Sequence, residues 1–196
     1  MIISHKHKFV FTEAPKTATS SIVKTFSRLG IERTSDYNTH ATLPNQYINN
    51  SEYFVFRFTR NPWSRWVSAY FFWLHGRVAR RILSGKEKNK GVISAHRVAC
   101  EKTPMEWIRY RLSKIASNSW EFDNPTNYNF VGKFENLQED FNIVCDRIGI
   151  PRQQLLHANK SKHKHYTEYY DDETRKVVAE KYAKDIEYFD YKYGEY

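Results

Sequence analysis

Two short apolar runs, "KFVFT" at residues 8–12 and "EYFVFRFT" at 52–59, each lead through a polar junction into a pattern of helical period. After the first, Ile22, Val23, Phe26 and Leu29 share one face of a helix predicted over 20–29, which Gly30 closes. After the second, Asn61 and Pro62 take the N-cap and first helical positions. Trp63, Trp66, Val67, Tyr70, Phe71 and Leu74 then form a wide apolar stripe. A helix over 103–116, a third strand over 127–134 and a helix over 137–148, stopped by Gly149 and Pro151, continue the alternation. A last helix over 171–189 opens on acidic residues and turns Val178, Tyr182, Ile186 and Phe189 inward. Strands alternating with helices predict an α/β domain with a mainly parallel central sheet flanked by helices.

The chain has 196 residues, 40% hydrophobic and 16% aromatic, which suits one domain over 1–196 with a substantial core. Residues 76–97 are basic and irregular, so 76–102 reads as a surface excursion or lid. The formal charge of +9 calls for an anionic partner and fixes only its sign. No apolar run approaches the roughly 20 residues that span a bilayer, and the first residues do not resemble a signal peptide. The expectation is a cytoplasmic protein without stable membrane insertion. Two cysteines, Cys100 and Cys145, with no CxxC pair, imply no disulfide scaffold.

In such a fold ligands bind beyond the carboxyl ends of the strands, where both junctions lie. The first, "EAPKTATSSI", brings Lys16, Thr17, Thr19, Ser20 and Ser21 to a helix start, a combination suited to a phosphate. It contains no glycine, so it is not the GxxxxGK[ST] loop of ATP-binding proteins. On these residues alone, a plain helix cap with a solvated lysine stays equally open. The second junction offers Arg60 at the strand end and Ser68 two turns into the helix, off the aromatic stripe; a surface salt bridge and a solvent-facing serine are the simpler reading of that pair.

"PKTATSS" resembles the 5′-phosphosulfate loop, and "TRNPWSRWVSAY" the 3′-phosphate motif, of sulfotransferases that use 3′-phosphoadenosine 5′-phosphosulfate (PAPS). "THATL" at 39–43, "VGKFENLQEDF" at 131–141 and the segment 159–191 continue the resemblance in the family's order, most closely to the branch of carbohydrate and heparan sulfate 2-O-sulfotransferases and its bacterial members. The resemblance implies a three-layer P-loop-like fold and PAPS as co-substrate. It implies that Lys16 contacts the bridging oxygen of the phosphosulfate and that residues 17–21, Thr17, Ala18, Thr19, Ser20 and Ser21, cradle the 5′-phosphate. Arg60 and Ser68 would hold the 3′-phosphate, with Lys160 and Lys162 brought back over the cofactor. His40 would be the base that removes the acceptor proton, with Glu13 as the competing candidate; an imidazole pKa of about 6.5 suits that task. The implied acceptor is a hydroxyl on a carbohydrate or glycoconjugate, with no metal in the transfer.

Thr59 departs mildly from the family pattern, which has a small apolar residue before the arginine. The pairs His5/His7 and His163/His165 have the spacing of metal ligands on one strand face, but no further Cys or carboxylate pattern accompanies them. The basic residues Arg77, Arg80, Arg81, Lys86, Lys88, Lys90 and Arg97 come without a nucleic-acid module, so no nucleic-acid partner is expected. Two rival readings remain: a non-catalytic basic domain that binds a polyanion, and a small kinase, which the missing glycines disfavour.

Overall fold

The computed structural model describes residues 1–34, 42–48, 50–114, 124–156 and 163–195. Among these residues the chain runs β1 (Ile2–Ser4), β2 (Phe9–Phe11), α1 (Thr19–Arg28), β3 (Phe54–Thr59), α2 (Pro62–His75), α3 (Arg77–Leu83), α4 (Lys90–Glu101), α5 (Pro104–Ser113), β4 (Phe130–Lys133), α6 (Leu137–Arg147), α7 (Asp172–Lys181) and α8 (Ala183–Phe189). It divides into two compact units, the first taking Met1–Arg60 with the described part of Ser119–Ala158, the second the remainder.

The first unit is built on a four-stranded sheet in the order β1-β2-β3-β4. Strands β2, β3 and β4 run parallel, with Val10 opposite Val55 and Phe58 opposite Gly132. Period-2 alternation places Phe9, Phe11, Phe56 and Phe58 on one face, where Ile22 and Phe26 of α1 and Phe141, Val144 and Cys145 of α6 cover them. The rings pack closely, at 5.1 Å between Phe11 and Phe56 and 5.2 Å between Phe9 and Phe26. Val10 and Val55 face the other way, under Met1, Leu43, Tyr47 and Tyr128; Tyr47 belongs to a 3-10 turn at Asn45–Tyr47. This is the expected α/β fold, a mainly parallel sheet flanked by helices. It adds an antiparallel edge strand, β1, which three residues were too few to announce. The third predicted strand shortens to β4 because Pro125–Asn127 forms a 3-10 turn, capped by Asn124.

In the second unit Asn61 caps α2 as expected, its Oδ1 accepting from the amides of Trp63 at 3.1 Å and Ser64 at 3.3 Å. Trp63, Trp66, Val67 and Tyr70 are buried, and Trp66 and Tyr70 meet Trp107 of α5 edge-on at 5.9 and 5.7 Å. The expected irregular excursion is instead two helices, α3 and α4, joined by a turn at Gly85, where φ is +68°. Asn89 caps α4 by accepting from the Val92 amide at 3.1 Å, and the helix buries His96 and Ala99. Thr103 and Glu106 cap the start of α5 with a reciprocal capping box. The single predicted final helix is broken at Tyr182 into α7 and α8. Among the described residues no helix is long and apolar enough to cross a membrane.

Candidate functional site

Between the end of β2 and the start of α1 the chain must reverse within a few residues, and it does so with two left-handed residues that are not glycine. Lys16 has φ +69° and Ala18 φ +62°, while φ at Thr17 between them is negative. A residue with a Cβ in this region costs about 1 kcal/mol, so neighbouring contacts must hold it there. Two are visible: the hydroxyls of Thr17 and Thr19 both donate to the Ala14 carbonyl, at 2.9 and 2.8 Å. Alternating hands along a turn point successive amides to one side, the geometry of an anion-binding nest. Ala18 offers no side-chain cap to α1, and the amides of a helix's first turn have no intrahelical acceptor. The Ser21 and Ile22 amides bond back to the Ala18 carbonyl at 2.8 and 3.2 Å.

This changes what the hydroxyls do. Thr17 and Thr19 are buried and have given their protons to Ala14, so they close the cradle, and donation toward an anion falls to the backbone. Ser20 is exposed at the helix start and Ser21 is buried.

Arg60 follows β3 directly and is buried, at 7% exposure. Its Nη1 donates to the Lys16 carbonyl at 3.3 Å, and its guanidinium lies 3.9 Å from the ring centroid of Phe134. The carboxyl ends of two adjacent parallel strands therefore bring two cations together. Burial and the neighbouring Arg60 charge push the Lys16 ammonium down to about 8. Like charges held this close favour a polyanionic ligand. Phe134 was missed at the level of the sequence; its only signal was its place in the "VGKFENLQEDF" segment.

Glu13 is fully buried and accepts from Arg33 Nε at 2.8 Å and from the Met1 amine at 2.7 Å. Burial raises its pKa, but the hydrogen bonds from Arg33 and the amine outweigh that and hold the carboxyl below the usual range. A carboxylate so engaged is poorly placed to take a proton. Ser68, in the second unit, is 6% exposed, so it is a buried serine and not a solvent-facing one. His40, Lys160 and Lys162 lie outside the described residues.

The two histidine pairs do not sit on strands. His5 and His7 occupy the turn between β1 and β2, where His5 Nδ1 meets the Tyr53 hydroxyl at 2.6 Å. His163 stacks on Phe71 at 5.1 Å and His165 Nδ1 pairs with Thr167 Oγ1 at 2.7 Å. Among the described residues no group of three or more His, Cys, Asp or Glu side chains is placed to hold a metal.

Fold and site thus define an α/β protein in which a left-handed turn and two neighbouring cations, Lys16 and Arg60, lie beyond the carboxyl ends of adjacent parallel strands. The model of the Sulfotransferase family matches residues 1–192, and the chain belongs to that family. It is similar to carbohydrate sulfotransferase 9 of Homo sapiens, 27% identical over 94% of this chain and 47% of the relative. Carbohydrate sulfotransferase 14 of Danio rerio is 25% identical over 78% of this chain and 49% of the relative. An uncharacterized protein of Archaeoglobus fulgidus is 29% identical over 64% of this chain and 86% of its own length. The chain spans about half the length of the two carbohydrate sulfotransferases it matches. No solved structure matches significantly.

Proposed function

We propose that residues 1–196 act as a single PAPS-dependent sulfotransferase domain that transfers a sulfuryl group to an acceptor hydroxyl on a carbohydrate. The observation that carries this reading is the left-handed turn at Lys16 and Ala18 with Arg60 bonded to its backbone, a cradle with two cations beside it. Family membership supports it, and the printed names of two relatives favour a carbohydrate acceptor. PAPS supplies an activated sulfuryl group, with adenosine 3′,5′-bisphosphate as its leaving group.

The turn amides and Lys16 hold the 5′-phosphosulfate end, and Arg60 with Ser68 of the "TRNPWSRWVSAY" motif holds the 3′-phosphate; Lys160 and Lys162 contribute further charge. His40 takes the acceptor proton as the hydroxyl oxygen bonds to sulfur. Lys16 stabilises the negative charge that collects on the phosphate oxygen as its bond to sulfur breaks. Positioning and fixed positive charge supply the acceleration, so the assigned residues need no metal.

The test combines binding and turnover. Adenosine 3′,5′-bisphosphate at 100 times its dissociation constant should stabilise the protein by about 2.7 kcal/mol, read as a rise in melting temperature. With labelled PAPS and a panel of glycan acceptors, Lys16→Ala and His40→Ala should each lower kcat by roughly 10²-fold or more. An unchanged melting temperature with the bisphosphate overturns the reading, and near-normal turnover in either variant removes that residue from the mechanism.

A further inference from the structure

Helix α3 carries Val78, Ala79, Ile82 and Leu83 on one stripe, and the protein covers only the beginning of it. Ala79 is 1% exposed and Val78 and Ile82 are half-buried, whereas Leu83, one turn beyond Ala79, is 81% exposed. An ordered chain reversal holds it there. The Gly85 amide donates to the Ile82 carbonyl at 2.9 Å and the Lys86 amide to the Arg81 carbonyl at 2.8 Å, with Gly85 left-handed at φ +68°, the paired bonds that close a helix. Lys86 stands where such a turn often places an apolar residue that folds back on the helix. Beyond the turn, Ile93 at the opening of α4 is also exposed, at 37%.

The charge around this turn has one sign. Residues 77–97 hold seven lysines and arginines and one carboxylate, Glu87, and that carboxylate is spent inside the turn. Its Oε2 accepts from Arg81 Nε at 3.3 Å, and its Oε1 from the Lys88 and Asn89 amides at 3.2 and 3.1 Å. Arg77, Arg80, Lys86, Lys88 and Lys90 are exposed. Leu83 therefore stands clear of the protein among cations.

Three classes of anionic partner answer that charge differently. An acidic polymer would use the cations and leave Leu83 in water. A stable protein partner needs roughly 800 Å² of matched surface on each side, and lysine, which dominates this turn, is depleted in such interfaces. A bilayer bearing anionic lipids asks for no matched shape. Its headgroups attract the cations, their aliphatic stems lie along the interface, and an apolar side chain between them enters the acyl boundary. We infer that the turn between α3 and α4 docks the protein on an anionic membrane surface, with Leu83 as the inserted side chain and Lys86, Lys88 and Lys90 on the headgroups.

Sedimentation with vesicles tests this, one set made of phosphatidylcholine and phosphatidylglycerol in a two-to-one ratio and one of phosphatidylcholine alone. The wild-type protein should partition onto the anionic vesicles and stay in solution with the neutral ones. Lys86→Gln and Lys88→Gln should each lower the partition coefficient roughly fivefold. Leu83→Ser should lower it at least roughly tenfold, and Leu83→Phe should restore it. Heparin affinity should be the same in Leu83→Ser as in the wild type, as should the melting temperature, which shows that the variant is folded. Failure of the wild-type protein to bind anionic vesicles, equal partition onto neutral ones, or wild-type partition in Leu83→Ser would overturn the inference. Heparin affinity lost in a folded Leu83→Ser would overturn it too, and would assign the turn to an acidic polymer. No readout involves Lys16 or Arg60, so the result is independent of the sulfotransferase reading.

Discussion

At Lys16 and Ala18 the backbone adopts a conformation that glycine reaches without cost, and two threonine hydroxyls on one carbonyl hold it there. Ala18 also sits at the N-cap, where glycine is favoured over alanine. Ala18→Gly should therefore stabilise the protein by about 0.5–1 kcal/mol in urea denaturation, whereas a β-branched Ala18→Val should lower stability. Lys16 carries a second consequence. Its folded pKa, about 8, lies below the unfolded value, so the folded state bears the cost of the charged form below pH 8 and sheds it as pH rises toward 10.5. Stability of the wild-type protein relative to Lys16→Met should rise across that window. An anion in the cradle favours the ammonium, so binding adenosine 3′,5′-bisphosphate near pH 8 should take up protons. Calorimetry in buffers of different ionisation enthalpy reads that uptake, and Lys16→Met should abolish it.

Elements were legible where large apolar residues set the period. The phenylalanines of β2 and β3 and the tryptophan stripe of α2 announced themselves, and the Asn61-Pro62 start held to the residue. Helix α4 did not, because its inward positions are Val92, Ala95, His96 and Ala99: the spacing is helical, but small or polar side chains carry little apolar signal among so many cations. The turn after β2 was half legible. Its residue types suggested an anion site, but the φ values and the inward commitment of Thr17 and Thr19 depend on where Ala14 lies, which no spacing rule states. Strand pairing makes its own demand at Gly132, which faces Phe58 across the β3–β4 ladder. A Cβ there would lie 2.5 Å from a ring carbon of Phe58. Gly132→Ala should accordingly destabilise the protein by roughly 1–3 kcal/mol, read from the denaturation midpoint, and wild-type stability would mean that the two strands are free to separate slightly.

Over the whole molecule the net charge of +9 allows two kinds of anion binding that salt separates. Lys16 and Arg60 are largely withdrawn from solvent, and pairs of charges so placed are weakly screened. The cations of α3, of α4 and of the turn between them, among them Arg77, Arg80, Lys86, Lys88 and Lys90, are exposed and would bind a polymer chiefly by releasing its counterions. Between 50 and 200 mM salt, five such contacts to a polyanion as charged as a duplex would lose on the order of 10²–10³-fold in affinity. Adenosine 3′,5′-bisphosphate, gripped by buried donors, should lose far less. Titrating the bisphosphate and a heparin-like chain across that range distinguishes the roles of the two basic regions. A bisphosphate affinity that falls as steeply as the polymer's, and that Lys16→Ala leaves unchanged, would place binding on the exposed helices and turn the protein into a polyanion-binding domain. A shallow dependence lost in Lys16→Ala would place it in the cradle after β2, where a sulfuryl donor requires it.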